Sequence, residues 1–178
     1  MDRISRAVKR LWGSVGNGRL PPSPRFAEEL AEHGNGALSL VAPNVSKWSF
    51  GYQLEHLYLS THYVLDRLEE SFTGRHADER MGPWGVGMMV GGFIPRKMFP
   101  TIPPLEPQGG TLAQIVPLQQ RLNERLAGID WGMRELFASR GKSKHPRMKY
   151  LTSSQWMLFA DIHHRHHIAI MRDIARSG

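Results

Sequence analysis

The chain contains no cysteine. Disulfides, thiolate metal ligands and a cysteine nucleophile are therefore excluded, and any metal must be held by histidines and carboxylates. Any thiol chemistry would need its thiol delivered as a cosubstrate. No apolar run approaches the ~18 residues needed to span a bilayer, so no membrane partner is expected. The opening stretch MDRISRAVKRLWGS is amphipathic and basic, without the apolar centre of a signal peptide, and the expected location is cytoplasmic. Sustained period-two alternation is missing too, which predicts almost no strand. There is no internal repeat. Acidic residues are scarce, since 16 Asp and Glu face 23 Lys and Arg, for a net charge of +7. The basic residues gather at Arg3, Arg6, Lys9 and Arg10, and again at Arg140, Lys142, Lys144, Arg147 and Lys149. The second cluster is read as a loop with Tyr150 as its one aromatic. Neither cluster carries a nucleic-acid-binding motif, so a solvated basic surface is expected rather than a nucleic-acid partner.

Histidine is what the chain has in concentration. Four of its nine histidines fall within His163-His-Arg-His-His167. His163 and His167 are four apart, so on a helix they share a face one turn apart. A helical wheel at roughly 100° per residue puts Asp161, Arg165, Arg172 and Arg176 on one side. Trp156, Phe159, Ile170 and Ile174 lie opposite, with His163 and His167 among them. His164 and His166 fall on the flanks, where each reads as a packed or surface side chain before a proton carrier. An i, i+4 imidazole pair on a buried face is half of a metal site. The alternative is two core histidines, each bonded to a buried carbonyl or carboxylate.

A chain of 178 residues is most simply one domain, residues 1–178. The first 45 residues read as helical segments and loops: a short helix in residues 1–14, a Gly/Pro break from Asn17 to Pro24, and another short helix to His33. The first long helix runs from about Ser46 or Ser49 to Phe72, with Ser49 as a plausible N-cap. Leu54, Leu57, Tyr58, Leu65, Leu68 and Phe72 form its apolar stripe. Residues 80–110 are rich in Gly, Pro and Met yet too apolar for a free linker. Long connections inside compact domains are commonly functional, so this one is read as an irregular crossover lying against the bundle as a lid on the site. A third helix is expected over about 111–137, bent at Pro117. Thr152-Ser-Ser-Gln155 fits a capping box, opening a last helix to about Arg176. The fold class is all-α, a four-helix bundle with its long crossover between helices 2 and 3.

Two segments resemble the DinB/YfiT-like superfamily of metal-binding four-helix bundles. Trp48-Ser-Phe-Gly-Tyr-Gln-Leu-Glu-His56-Leu57 is similar to the family's Trp-Ser helix opening followed by a helical histidine. His145-Pro-Arg-Met-Lys-Tyr-Leu-Thr152-Ser-Ser-Gln-Trp156, running into His163 and His167, resembles its His-Pro loop, capped last helix and H-x-x-x-H pair. The resemblance implies three histidine ligands, His56, His163 and His167, with His62 as the reserve on the first long helix. Three neutral imidazoles with open positions suit Zn²⁺ or Ni²⁺. It further implies activation of a low-molecular-weight thiol or of water on a small-molecule substrate, as in the family's thiol S-transferases and metal-dependent hydrolases. Many relatives are homodimers, and the apolar 80–110 stretch offers a contact surface. A bundle that binds a metal or small molecule without turning it over is the alternative function. The sequence departs from the family's pattern at Ile170, where relatives carry a Gln, so a polar contact to the histidines is expected to be missing. Glu55 neighbours His56 but falls on the polar side of the wheel, and is expected to be solvated.

Overall fold

Ser49 stands in an extended conformation, and its hydroxyl accepts the Tyr52 amide at 3.2 Å. One of the free amides of the first helical turn is thereby satisfied. Helix α1, Phe50–Ser71, starts at that cap. In the computed structural model, which describes residues 36–96, 100–128 and 138–177, three more helices follow. These are α2 (Pro83–Gly91), α3 (Leu112–Ala127) and α4 (Ser153–Ser177). The architecture is the expected all-α one. The helical segments expected within residues 1–33 lie outside the described residues, as does the expected continuation of α3 through 129–137.

Helix α4 opens as its capping box requires. Gln155 Oε1 accepts the Thr152 amide at 2.9 Å, and Thr152 Oγ1 accepts the Gln155 amide at 3.3 Å. Helix α1 packs along α4 and also against α3. The buried seam holds Leu54, Leu57 and Leu68 of α1, Ile115 and Leu122 of α3, and Trp156, Ile170 and Ile174 of α4. Of the predicted α1 stripe only Phe72 stays half-buried.

Two expectations about the connecting segments are corrected. The 80–110 crossover is not wholly irregular, because Gly82-Pro83 starts α2 and a 3₁₀ turn occupies Pro103–Leu105. Proline at the first helical position has no amide to leave unpaired. The basic stretch before α4 is not a loop but an antiparallel hairpin, β1 (Lys142–His145) with β2 (Lys149–Thr152), paired Lys142↔Thr152 and His145↔Lys149. Its inward residues in β1 are Ser143 and His145, with Lys144 exposed between them. Hydropathy alternation cannot register a strand whose buried positions are polar. Ser143 is satisfied by donating to the Arg67 carbonyl at 2.7 Å.

The end of the crossover meets α1 at two glycines. A Cβ on Gly51 would lie 2.0 Å from the Gly110 carbonyl oxygen, and Gly110 itself has φ +62°. No larger residue permits this approach. It matters for the site because Glu55, one turn further along α1, reaches the same loop. Glu55 is not solvated as expected but buried. Its carboxylate accepts the amides of Gln108 (2.8 Å), Gly109 (3.2 Å) and Gly110 (2.6 Å). A simple wheel assigned it to water because the wheel knows nothing of a loop returning from fifty residues away.

Candidate metal centre

His56 sits in the second turn of α1, and His163 and His167 one turn apart on α4. The pairing of α1 with α4 brings the three rings together. Ring centroids are 5.2 Å apart for His56 and His163, 4.6 Å for His56 and His167, and 4.4 Å for His163 and His167. One ring nitrogen from each lies within 4.8 Å of the others. The Nε2 atom of His163 is 3.3 Å from that of His56 and 3.2 Å from that of His167.

The outward-facing ring nitrogens decide where the protons are. His56 Nδ1 donates to the Leu105 carbonyl at 2.8 Å, with Thr101 Oγ1 at 3.3 Å. His167 Nδ1 donates to Gln53 Oε1 at 2.6 Å, and Gln53 is oriented by its own Nε2 donating to Ser46 Oγ at 2.9 Å. Ser60 directs its hydroxyl hydrogen at the His56 and Leu57 carbonyls, so its oxygen is left to accept from His163 Nδ1 at 3.4 Å. Each ring thus carries its proton on Nδ1. Three Nε2 lone pairs then face one another with no hydrogen between them. Burial holds all three rings neutral by lowering their pKa values, His163 and His167 well below the usual histidine range. For His163 and His167 the neighbouring histidines add to the effect. Converging lone pairs repel unless a cation sits among them. Nitrogens that share one ion at ~2.0–2.1 Å lie roughly 2.8–3.4 Å apart, between octahedral and tetrahedral angles. The two spacings about His163, 3.2 and 3.3 Å, fall in that range, and a donor set of three imidazoles fits a divalent ion.

His62 is turned elsewhere, its Nε2 against the Leu118 carbonyl at 3.0 Å on the α3 side. His164 is buried on another face of α4 and donates to Thr61 Oγ1 at 2.9 Å. His166 is half-buried at the cavity wall, its ring 5.0 Å from that of His167. The polar partner expected to be missing with Ile170 is supplied by Gln53 from α1. Neither Gln53, Ser60 nor the Leu105 carbonyl is legible as a site residue in the sequence. Gln53 lies three residues before His56, one helical turn away, which is the one signal that could have marked it.

The three histidines line a cavity of about 870 Å³ between α1, α4, the crossover and the hairpin turn. Its apolar wall includes Trp48, Met88, Ile102 and Phe159. His145 lines it as well. The Arg147 and Met148 amides both donate to His145 Nδ1 at 3.1 Å, so its proton resides on Nε2. Burial, aided by the Arg147 charge, pushes its pKa down to about 4. A histidine neutral when folded but protonated when unfolded contributes stability above its unfolded pKa of ~6.5, and loses it as pH falls toward the folded value. We expect His145 to withdraw on the order of 3 kcal/mol between pH ~6.5 and ~4. Urea titrations of metal-free protein across that window should show a shallower pH dependence for His145→Gln than for the parent. Equal slopes would contradict the assignment.

A helical bundle with a three-histidine cluster able to hold a divalent metal defines the class of protein. The chain belongs to the DinB superfamily, whose model matches residues 25–171. No curated protein and no solved structure matches it.

Proposed function

We propose that the protein is a metal-dependent enzyme that binds a divalent ion, Zn²⁺ or Ni²⁺, through His56, His163 and His167. The observation that carries this reading is the convergence of three deprotonated Nε2 atoms, each ring fixed by an acceptor behind it. When bound, such an ion lowers the pKa of a coordinated thiol or water and so supplies a nucleophile near neutral pH. The chain's own part is to hold the rings in one tautomer, to shelter the site within the crossover, and to leave a cavity beside it for a small substrate. No Asp or Glu side chain is among the described residues lining that cavity. A thiol, with its pKa of ~8–9, needs a general base less than water does. Thiol S-transfer is therefore the better fit and hydrolysis the second reading.

Elemental analysis of purified protein, with conjugation and ester-cleavage assays using low-molecular-weight thiols and generic electrophiles, tests the proposal. We expect close to one ion per chain and turnover that needs both metal and thiol. Metal with cleavage but no conjugation would favour the hydrolase. Metal with neither would leave a binding bundle, and protein that never takes up metal would remove the proposal.

No described helix is long and apolar enough to cross a membrane. Val86, Val90 and Phe93, on and just after α2, are exposed, and we assign them to a homodimer contact. Light scattering should give a dimer that Val90→Lys shifts toward monomer; a monomer at every concentration refutes it.

A further inference from the structure

Among the described residues the interior of the cavity is uncharged. Lys47, Arg96 and Arg147 line it, but all three are exposed, so their charges are hydrated at its rim. Arg96 is also paired with Asp173 at 2.7 Å, and Arg147 donates to the Pro100 carbonyl. The histidines inside are neutral, and most of their N–H groups are already used. His56, His163 and His167 donate to Leu105, Ser60 and Gln53, and His166 donates to the Ile94 carbonyl. His145 is the exception. The Arg147 and Met148 amides fill its Nδ1, which leaves its proton on Nε2. No other hydrogen bond is made by His145 among the described residues, although the residue lines the cavity and is only 9% exposed. Ring contacts fix its place. The imidazole stands 4.7 Å from the Phe159 ring, edge to face, and 5.1 Å from that of Trp156. Phe159 in turn lies 5.4 Å from His163. One aromatic side chain therefore bridges this donor to the metal cluster.

We propose that His145 Nε2–H anchors the ligand of this cavity through a carbonyl oxygen, and that the ligand is a small neutral carbonyl compound with an apolar body lying over Phe159. The turn enforces the role of the ring. Two backbone amides need the lone pair on Nδ1, so Nε2 is kept a donor and aimed away from the turn. A hydrocarbon of the same shape would leave that donor without a partner once water is displaced. A carboxylate would bring a charge among Phe159, Met88 and Ile102 that no buried cation meets, and one neutral donor does not offset its desolvation. A carbonyl satisfies the donor without either cost. With one end held at His145, the rest of the molecule is directed across Phe159 toward the three histidines. The inference rests on reading this cavity as the substrate site, but it does not require the metal.

Acetophenone and α-methylstyrene share one shape, with C=O in the first replaced by C=CH₂ in the second. Calorimetric titration of both gives an affinity ratio, and a change in that ratio between variants reads the acceptor alone, because any loosening of the cavity acts on both ligands. His145→Asn keeps an oxygen for the turn amides but stops short of the Nε2 position, whereas His145→Gln brings an amide NH₂ near it. The ketone-to-alkene ratio should fall about tenfold in His145→Asn and stay within about twofold of the parent in His145→Gln. The infrared C=O stretch of ¹³C-labelled acetophenone bound to the parent should lie below its value in hexane, and should rise toward that value in His145→Asn. A ratio unchanged in His145→Asn overturns the proposal, as does a fall confined to His145→Gln. A parent-bound stretch at the hexane value overturns it without any variant, and so does failure of the ketone to bind at millimolar concentration. Metal-free protein and His163→Ala should show the same dependence on His145. A ketone preference that vanishes in both would assign the carbonyl to the ion and overturn the proposal. Loss of metal binding with the His145 dependence intact would instead count against the metal reading alone.

Discussion

His163→Ala and His167→Ala should each abolish stoichiometric binding of a divalent ion, and with it any metal-dependent turnover. Each removes one of three converging nitrogens and leaves the ion only two protein ligands, His56 of α1 and one histidine of α4. The loss should exceed the roughly 10–100-fold that removal of an outer hydrogen-bond partner costs. Gln53→Ala provides that smaller benchmark. It takes away the acceptor that keeps the His167 proton on Nδ1, and the ring is then free to present Nε2–H to the site. His56→Ala should match the α4 variants, whereas His62→Ala and His164→Ala should leave binding largely intact, because their rings bond the Leu118 carbonyl and Thr61. Competition against a chromophoric chelator, after dialysis into metal-free buffer, reads all of these. Full metal content in His163→Ala would rule out the three-histidine site.

Glu55→Ala should be the most damaging single change outside the histidines. Its carboxylate is the common acceptor for three consecutive backbone amides. Each donor left buried without a partner costs about 1–3 kcal/mol, and water entering the space recovers part of that, so a loss of about 3–5 kcal/mol is expected. Glu55→Gln should recover part of the loss, because its amide oxygen can still accept from Gly109 and Gly110 while its NH₂ is turned against the Gln108 amide, a donor facing a donor. The effect should also reach the site. The loop that Glu55 holds directly follows Leu105, whose carbonyl fixes His56. Denaturant unfolding together with metal titration distinguishes the two consequences. A destabilisation below about 1 kcal/mol would show that the three bonds are dispensable.

Much of the architecture was readable from spacing alone. The α1 stripe, the Ser49 cap, and the Thr152/Gln155 box with the helix it opens are local features, set by residues within one or two turns of each other. Helix periodicity put His163 and His167 on a common inward face for the same reason. The hairpin was not legible, because the inward residues of β1 are the polar Ser143 and His145, which mimic a loop, and β2 has one fully buried apolar residue, Leu151, too few to show alternation. Glu55 was misread for a related reason. Its partners are backbone amides more than fifty residues away, which carry no side-chain signature.

By itself the sequence determined that any metal would be held by imidazole and carboxylate rather than thiolate, that the chain would be helical, and that two histidines would face the core. Only the tertiary structure decided which histidine of α1 joins them. The resemblance offered His56 with His62 as the reserve, and the packing of α1 on α4 brought the first to the cluster and turned the second to α3. It also decided which nitrogen of each ring is free. That choice is made by a carbonyl of the crossover, an amide and a hydroxyl of α1, acceptors that reach the rings only when the helices and the loop are packed together.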